Sequence, residues 1–258
     1  MDLGLRGKKA IVTGATRGIG RAIAEALVSE GVDVAICARN HVQVNETVDA
    51  LRRAGATAIG GILDVSDGPR LRAWIEEAGQ ILGGIDILIS NPGAMVGENT
   101  EKDWESNFRI DVMGAVRSVE TAKPYLVKAA GEKGDASIVF IASVAASEAR
   151  EATSYGPMKA ALIHFAKGLA RELAPKHVRA NVVSPGSVFV KDGYWDKIAQ
   201  ASPDQFQDRV TRNPIGRMAT ANEIANAVVF LASPASAFIT GINVIIDGGY
   251  TQSVVYDP

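Results

Sequence analysis

The chain has 258 residues, a formal charge of −2 and 47% hydrophobic residues, a size that fits one large domain or two small ones. This near-average composition excludes a disordered or collagen-like chain. The lack of a basic excess argues against general binding to nucleic acid or to an anionic membrane.

The single cysteine, Cys37, lies in an apolar run and is predicted to be a buried thiol. One cysteine cannot form an intrachain disulfide. The N-terminus has no apolar core of signal-peptide length, and no apolar stretch approaches the ~20 residues of a membrane span. We therefore expect a cytoplasmic protein without a membrane partner.

Short apolar strands alternate with amphipathic helices along the chain. Strands are predicted at 9–13, 33–37, 57–62, 85–89, 137–141, 178–183 and 242–246. Helices are predicted at 17–30, 41–53, 67–81, about 101–130, 153–174 and 222–232. This alternation implies right-handed crossovers and a parallel sheet that is covered on both faces. Without a linker or a composition shift, we expect one domain over 1–258, with a substrate lid at about 186–220.

A glycine-rich turn follows the first strand and opens the first helix. Gly14, Gly18 and Gly20 let the backbone turn tightly and approach a ligand. The N–H groups at the start of a helix favour an anion such as pyrophosphate. In an alternating chain this position predicts a dinucleotide site, although tight strand–helix packing is the simpler alternative.

The end of the second strand indicates which dinucleotide binds. NAD-selective sites usually carry Asp or Glu there, whereas this chain has Arg39. A guanidinium pairs well with a 2′-phosphate, and Arg17 in the glycine turn is expected to approach the same phosphate. We therefore predict NADP(H), with the alternative that Arg39 is a solvated residue that stacks on the adenine.

Tyr155 and Lys159 stand four residues apart in a predicted helix, which places both side chains on one helix face. A phenol is a poor acid or base at neutral pH, and a nearby ammonium improves it by stabilising the phenolate. Ser143 ends the preceding strand, at the edge where ligands bind in open α/β sheets. The three residues predict acid/base chemistry, although the Tyr–Lys spacing alone also occurs on surface helices.

From Lys8 to Tyr250 the sequence resembles the short-chain dehydrogenases/reductases, and most closely their branch of 3-oxoacyl-thioester reductases and small-alcohol dehydrogenases. The glycine turn, with Thr16, Arg17 and Ile19, matches the family's TGxxxGxG motif. The other matches are Asp64-Val65 at the adenine, Asn91 and Gly93 after the fourth strand, the catalytic Ser143, Tyr155 and Lys159, the turn Pro185-Gly186 at the nicotinamide, and the C-terminal strand and tail at 245–249.

The resemblance implies an α/β fold of Rossmann type, a doubly wound parallel sheet of seven strands flanked by helices, with a helical substrate lid. It implies an NADP(H)-dependent oxidoreductase that interconverts a ketone and a secondary alcohol by hydride transfer. Tyr155 would donate the proton, Ser143 would hydrogen-bond the carbonyl oxygen, and Lys159 would support Tyr155 and hold the nicotinamide ribose. It also implies a homotetramer built from the helices at about 101–130 and 153–174, with the C-terminal strand at a second interface.

Two departures from the family pattern fall beside the predicted active site. Asp111 stands where the family has a catalytic Asn that holds a water linked to the lysine. Its charge is expected to pull on Lys159 and give a functioning but altered proton relay, unless Asp111 is a tolerated isostere. Pro92 removes a backbone N–H and is expected to change the loop beside the nicotinamide.

Two further departures concern the catalytic helix and the nicotinamide turn. Pro157 requires that the helix begin at about Thr153 or Ser154, either of which can cap it. The turn Pro185-Gly186 lacks the following threonine that usually binds the carboxamide, so the Ser187 side chain or the Val188 backbone is expected to serve instead.

The substrate is the least specified feature. The residues expected to line its pocket are Phe189, Tyr194, Trp195, Met95, Lys191 and Arg150. The aromatic and apolar members favour an apolar or aromatic ketone. The two cations favour an anionic tail, such as that of a 3-oxoacyl thioester, or belong to a solvated lid.

Two other functions stay open at this point. One is an NAD-dependent alcohol dehydrogenase of the same fold. The other is a low-turnover NADP(H)-binding sensor or scaffold, which the departures at Asp111 and Pro92 motivate. No metal site is predicted, because His164 and His177 have no partners at metal-ligand spacing.

Overall fold

The computed structural model describes residues 2–94, 99–149 and 152–252 and confirms the alternation of strands and helices. The strands are β1 (Lys9–Thr13), β2 (Asp33–Ala38), β3 (Ala58–Ile62), β4 (Ile87–Ser90), β5 (Ala136–Ile141), β6 (Val178–Pro185), β7 (Val188–Phe189), β8 (Ala219–Thr220) and β9 (Asn243–Ile246). The α-helices are α1 (Gly18–Ser29), α2 (His41–Arg53), α3 (Gly68–Leu82), α4 (Glu101–Asn107), α5 (Gly114–Lys133), α6 (Tyr155–Leu173), α7 (Tyr194–Ala201), α8 (Pro203–Thr211) and α9 (Ala221–Ala232).

Seven strands form one parallel sheet in the order β3-β2-β1-β4-β5-β6-β9. The chain moves outward from β1 to β3 and then returns to the other side of β1, where β4 pairs with it. This reversal makes a crevice at the carboxyl ends of β1 and β4, the place where open α/β sheets bind ligands. The predicted doubly wound Rossmann-type fold is confirmed.

The core lies in two layers, one on each face of the sheet. Ile11 of β1 packs with the layer under α3, α5 and α6. Its neighbours Ala10 and Val12 pack with the layer under α1, α2 and α9. Successive side chains of a strand point to opposite faces, so a strand buried on both faces needs an uninterrupted apolar run.

The helix predicted at about 101–130 is present, but it is not α-helical throughout. Between α4 and α5 the chain forms a π-helical turn, Phe108–Met113, which contains Asp111. A π turn inserts an extra residue into the helical repeat and is often found at functional sites.

Helix α6 begins at Tyr155, so Pro157 lies in its first turn, as predicted. The predicted side-chain cap is wrong, because Ser154 makes no capping hydrogen bond. Its hydroxyl instead accepts a hydrogen bond of 2.6 Å from Nδ2 of the buried Asn107, which ties the end of α4 to the start of α6.

The predicted lid segment is helical. It contains α7 and α8, neither of which has a buried residue. Its two ends meet where Val188 and Phe189 of β7 pair with Ala219 and Thr220 of β8. Within the described residues, no helix combines the length and the apolar character that crossing a membrane requires.

Candidate active site

The carboxyl ends of β1, β4, β5 and β6 border a cleft of about 1900 Å³. The predicted site residues that line it are Gly14, Thr16, Arg17, Gly18, Ile19, Arg39, Asp64, Val65, Asn91, Gly93, Ser143, Tyr155, Lys159, Pro185, Gly186 and Val188. Two other predicted residues, Gly20 and Asp111, lie behind its wall and are buried. The fold therefore brings the predicted cofactor and catalytic residues to one cleft.

The glycine turn is held by close backbone contacts. Gly14 has a φ of +67°, which L side chains rarely adopt. A Cβ on Gly20 would lie 2.3 Å from the Gly14 carbonyl oxygen and 2.5 Å from Asn91 Nδ2. Asn91 Nδ2 also donates a hydrogen bond of 2.8 Å to that carbonyl. Gly20 thus serves the site by letting α1 approach the turn, and Asn91 fastens the turn to the end of β4.

The start of α1 is suited to an anion. Its flanking residue Arg17 makes no side-chain capping bond, whereas α2 is capped by Asn40 and α3 by Asp67. The first N–H groups of a helix have no partner within the helix, and with the helix dipole they favour a phosphate. The uncapped helix and the glycine turn fit the pyrophosphate of a dinucleotide.

Two arginines flank this end of the cleft. Both Arg17 and Arg39 are exposed and line the cleft. Arg39 Nη1 lies 3.9 Å from Asp64 Oδ2, with 74% of the arginine side chain exposed. Asp64 also accepts a hydrogen bond of 2.8 Å from the Ser66 N–H, which holds the acidic residue at the end of β3. A pairing this long and exposed leaves the guanidinium able to bind an added phosphate.

Ser143 and Tyr155 lie on opposite sides of a tight junction. Ser143 follows β5 in extended backbone, and its hydroxyl accepts a hydrogen bond of 3.2 Å from the Ala145 N–H. A Cβ on Gly156 would lie 2.6 Å from the Ala145 carbonyl oxygen. The glycine between Tyr155 and Pro157 therefore lets the start of α6 pack against the segment that carries Ser143.

The Lys159 ammonium is buried and surrounded by acceptors. It lies 2.8 Å from Asp111 Oδ1, and both side chains are almost inaccessible to solvent. It also donates hydrogen bonds of 3.2 Å to the carbonyl oxygens of Pro92 and Ile141. Its nitrogen is 5.7 Å from the centre of the Tyr155 ring. The predicted pull of Asp111 on Lys159 takes the form of a direct ion pair.

Asp111 links the π turn to the loop after β4. Its Oδ2 accepts a hydrogen bond of 2.8 Å from the Ala94 N–H, while its Oδ1 faces Lys159. The Pro92 carbonyl reaches the same ammonium. The two departures from the family pattern therefore meet at one lysine.

The substrate end differs in part from the predicted pocket. Tyr194, Trp195 and Lys191 line the cleft. Phe189 does not line it and packs instead against Phe206, with ring centres 6.0 Å apart, so its prediction as a pocket residue is wrong. Two other predicted pocket residues, Met95 and Arg150, lie outside the described residues.

Arg209 and Tyr250 also line the cleft and were not predicted. The Arg209 guanidinium lies 4.0 Å from the Tyr250 ring centre and 5.5 Å from that of Trp195. It hydrogen-bonds the Tyr250 hydroxyl and donates from Nε to Ser187 Oγ at 2.6 Å. Ser187, whose side chain was expected to replace the family's threonine unless the Val188 backbone does so, is thus fastened to α8 in the predicted lid segment.

The Cys37 side chain is fully buried, as predicted. Burial raises the pKa of the Cys37 thiol to about 12, because a thiolate loses its hydration in an apolar environment. The described part of the chain contains no group of three or more His, Cys, Asp or Glu side chains that could hold a metal ion.

Comparisons with known proteins find matches over nearly the whole chain. A family model described as enoyl-(acyl carrier protein) reductase matches residues 14–251. Isoepoxydon dehydrogenase patN of Penicillium expansum is 36% identical over 254 residues, which cover 96% of this chain and 96% of that protein.

Solved structures show the same fold. The L-sorbose reductase of Gluconobacter frateurii, complexed with NADPH and L-sorbose, has a TM-score of 0.90 and 30% identity, and the match covers 98% of this chain and 100% of that one. A short chain dehydrogenase of Burkholderia cenocepacia in complex with NADP has a TM-score of 0.86 and 30% identity, with 95% and 98% covered.

Proposed function

Because this chain belongs to the short-chain dehydrogenase/reductase family, we propose that it is an NADP(H)-dependent oxidoreductase that interconverts a ketone and a secondary alcohol. The observation that carries the proposal is the cleft itself. The glycine turn, followed by the uncapped start of α1, lines one end of the cleft, and Ser143, Tyr155 and Lys159 line the other.

The preference for NADP(H) over NAD(H) rests on charge. Arg39 occupies the position where an NAD site usually has a carboxylate, and Arg17 lies at the same end of the cleft. Two guanidinium groups favour a 2′-phosphate. The relatives solved with NADP and NADPH support the same cofactor.

Each of the three proposed catalytic side chains has a separate role. When bound, NADP(H) supplies or accepts the hydride. In reduction, the Tyr155 hydroxyl gives its proton to the substrate carbonyl oxygen and becomes a phenolate. Ser143 donates a hydrogen bond to that oxygen and stabilises its developing charge. In oxidation, the Tyr155 phenolate takes the proton of the alcohol. Lys159 stabilises the phenolate and holds the nicotinamide ribose.

We propose a small ketone as the substrate. Tyr194, Trp195 and Trp104 give the substrate end aromatic walls, and Lys191, Lys197 and Arg209 add cations. The names of the relatives, isoepoxydon dehydrogenase and L-sorbose reductase, point to compact oxygenated molecules. A 3-oxoacyl thioester is the competing class, which Lys191 favours.

The test is a substrate screen that follows the loss of NADPH absorbance, run in parallel with NADH. The panel contains L-sorbose, tropinone, an epoxycyclohexenone, aromatic ketones and an acetoacetyl thioester. We expect turnover of at least one ketone with NADPH. The Tyr155→Phe variant should lower the turnover about 10³-fold and still bind NADPH.

Tight NADPH binding without turnover of any panel member would favour the sensor or scaffold function. Full activity in Tyr155→Phe would contradict the assigned acid. Equal turnover with NADH would favour the NAD-dependent alternative.

We also propose a homotetramer. Phe108, in the π turn, remains 46% exposed. Near the C-terminal strand, Phe238 is fully exposed and Ile242 is 40% exposed. Apolar side chains grouped on two faces suit two interfaces. Light scattering should give four chains per particle, and Phe108→Glu should give smaller particles. A wild-type monomer would contradict the proposal.

A further inference from the structure

We propose that Asp111 restrains the charge of Lys159, so that Tyr155 keeps its proton to higher pH and the enzyme reduces ketones over a wider alkaline range. The proposal rests on the proposed function, because it concerns the same acid. Asp111 acts on Tyr155 through Lys159 and is a positioning residue. It leaves the equilibrium between ketone and alcohol unchanged and affects only the pH range of each direction.

Asp111 and Lys159 form a buried ion pair. Asp111 Oδ1 lies 2.8 Å from the Lys159 ammonium, and solvent reaches only 1% and 3% of the two side chains. Buried charges interact more strongly than exposed ones, because little water screens them. A carboxylate at this distance cancels much of the field that the ammonium exerts on its other neighbours.

The second step concerns the hydrogen bonds of the ammonium. An ammonium has three N–H donors, and two of those of Lys159 bond the carbonyls of Pro92 and Ile141. Asp111 Oδ1 attracts the ammonium by charge at 2.8 Å, outside hydrogen-bond geometry. The charge of Lys159 and two of its three donors are therefore directed towards the wall behind the cleft.

Asp111 is held in place by its neighbours. The Ala94 N–H binds its second oxygen at 2.8 Å, and the π turn is packed against α5 and α6. The Ala94 N–H and the Lys159 ammonium, one at each oxygen, therefore hold the Asp111 carboxylate in one place beside Lys159.

Other charged groups are less close to Lys159. Those that line the cleft or belong to the elements packed on α6 are Arg17, Arg21, Arg39, Glu46, Asp64, Glu148, Lys191, Asp192, Lys197, Arg209, Glu101, Lys102, Asp103, Glu105, Arg109, Lys176 and Arg179. Asp103 bonds Thr100 at the start of α4, and Arg179 pairs with Asp135 at the opposite edge of the sheet. Among the residues that the structure describes, Asp111 is the carboxylate within ion-pair distance of Lys159.

The effect on pH has a definite sign. With Asp111 present, the phenolate of Tyr155 receives less stabilisation from Lys159, so Tyr155 loses its proton at higher pH. Asp111→Asn removes the negative charge and keeps the shape. The alkaline limb of the reduction profile should then move down by about one pH unit, and the acid limb of the oxidation profile should move down equally.

The experiment combines kinetics with a direct titration of the phenol. Rate–pH profiles of wild type and Asp111→Asn are recorded in both directions with a ketone and alcohol pair found in the screen. Tyrosinate absorbance is titrated in parallel, with and without NADP+, as the difference between each protein and its Tyr155→Phe counterpart. We expect the midpoint of this difference titration to fall by about one pH unit in Asp111→Asn.

Asp192→Asn is the matched control. Asp192 also lines the cleft, but it is exposed, so the loss of its charge should move the midpoint much less. Its φ is +60°, a conformation that Asn also tolerates. Thermal unfolding of each variant establishes that it is folded, and Asp111→Ser serves as the second neutral variant.

An unchanged or higher midpoint in both neutral variants would overturn the proposal, as would an equal shift in Asp192→Asn. The titration needs no substrate. If no ketone is turned over but the tyrosinate midpoint still falls, the proposed function fails while the coupling of Asp111 to Tyr155 stands.

Discussion

The two ends of the cleft are built in different ways. At the cofactor end, the glycine turn is defined by backbone contacts between neighbouring elements, as with Gly20 against the Gly14 carbonyl. At the substrate end, the lid helices α7 and α8 have no buried residue and are attached through side chains such as Arg209. The first end depends on steric fit and the second on a few polar and aromatic contacts. Substitutions at the cofactor end should therefore affect stability and cofactor binding strongly, and substitutions at the substrate end should have smaller effects.

The largest effect should come from filling the space at Gly20. In Gly20→Ala the new Cβ would lie 2.3 Å from a carbonyl oxygen, and we expect a loss of about 3 kcal/mol in the free energy of unfolding. Urea unfolding measures it. The control is Gly131→Ala in α5, where nothing lies within 4 Å and stability should rise by about 0.5–1 kcal/mol. Equal stability of the two variants would show that the glycine turn is not sterically fixed.

The next effect concerns the charge at the cofactor end. Arg39→Asp removes a guanidinium and adds a repulsive carboxylate, so NADPH binding should weaken by about 30-fold, equivalent to about 2 kcal/mol. NADH binding should change little. Fluorescence titration with both dinucleotides checks this, with Arg53→Asp, outside the cleft, as the control. An equal loss of affinity for NADPH and NADH would instead indicate that Arg39 contacts the adenine, which both dinucleotides share.

A smaller effect is expected at the substrate end. Arg209→Leu removes the cation between Tyr250 and Trp195 and the bond to Ser187. An interaction of about 1 kcal/mol corresponds to about a fivefold rise in KM for the ketone. Initial rates measure it. Arg212→Leu, directly after the same helix, removes only an exposed pair with Asp208 and should leave KM unchanged. An equal rise in KM in this variant would show that the effect does not depend on the contacts of Arg209.

The smallest effect is expected at Cys37, whose thiol should stay unreactive in the native protein. Since burial raises its pKa to about 12, the native thiol should not react with a thiol reagent at about pH 8, whereas the urea-unfolded chain should react at once. The folded pKa exceeds the unfolded one, so the stability contributed by the neutral thiol is complete below about pH 8.5 and is lost as the pH rises towards 12. Rapid labelling of the native protein would contradict the burial.

The contrast between the two ends of the cleft also explains which structural features could be predicted from the sequence. The apolar runs of the strands and the glycine spacing are local signals, because burial on two faces and a tight turn each restrict the residues at that position. The seven-stranded sheet and the glycine turn were therefore predictable. Among the proposed catalytic residues, Ser143 was predictable because it follows a strand and Tyr155 because it begins a helix. Lys159 was predictable from its spacing of four residues from Tyr155.

Other features depend on contacts between distant residues. Arg209 lies 22 residues from Ser187 and 41 from Tyr250, and no local pattern indicates that they meet. The π turn at Phe108–Met113 lies inside a helical pattern whose period hardly changes when one residue is added. Asp111 was noticed only as a departure from a motif, and its direct contact with Lys159 needed coordinates.

The pairing of β7 with β8 has a consequence for how such enzymes diversify. Because both ends of the predicted lid segment meet at this two-residue ladder, the chain between Phe189 and Ala219 leaves and re-enters the domain at one point. We therefore expect that the corresponding segment of a related chain can replace it without altering the strand register, provided that Ser187 keeps a hydrogen-bond partner such as Arg209. Such an exchange would alter the substrate end of the cleft and leave the cofactor end unchanged.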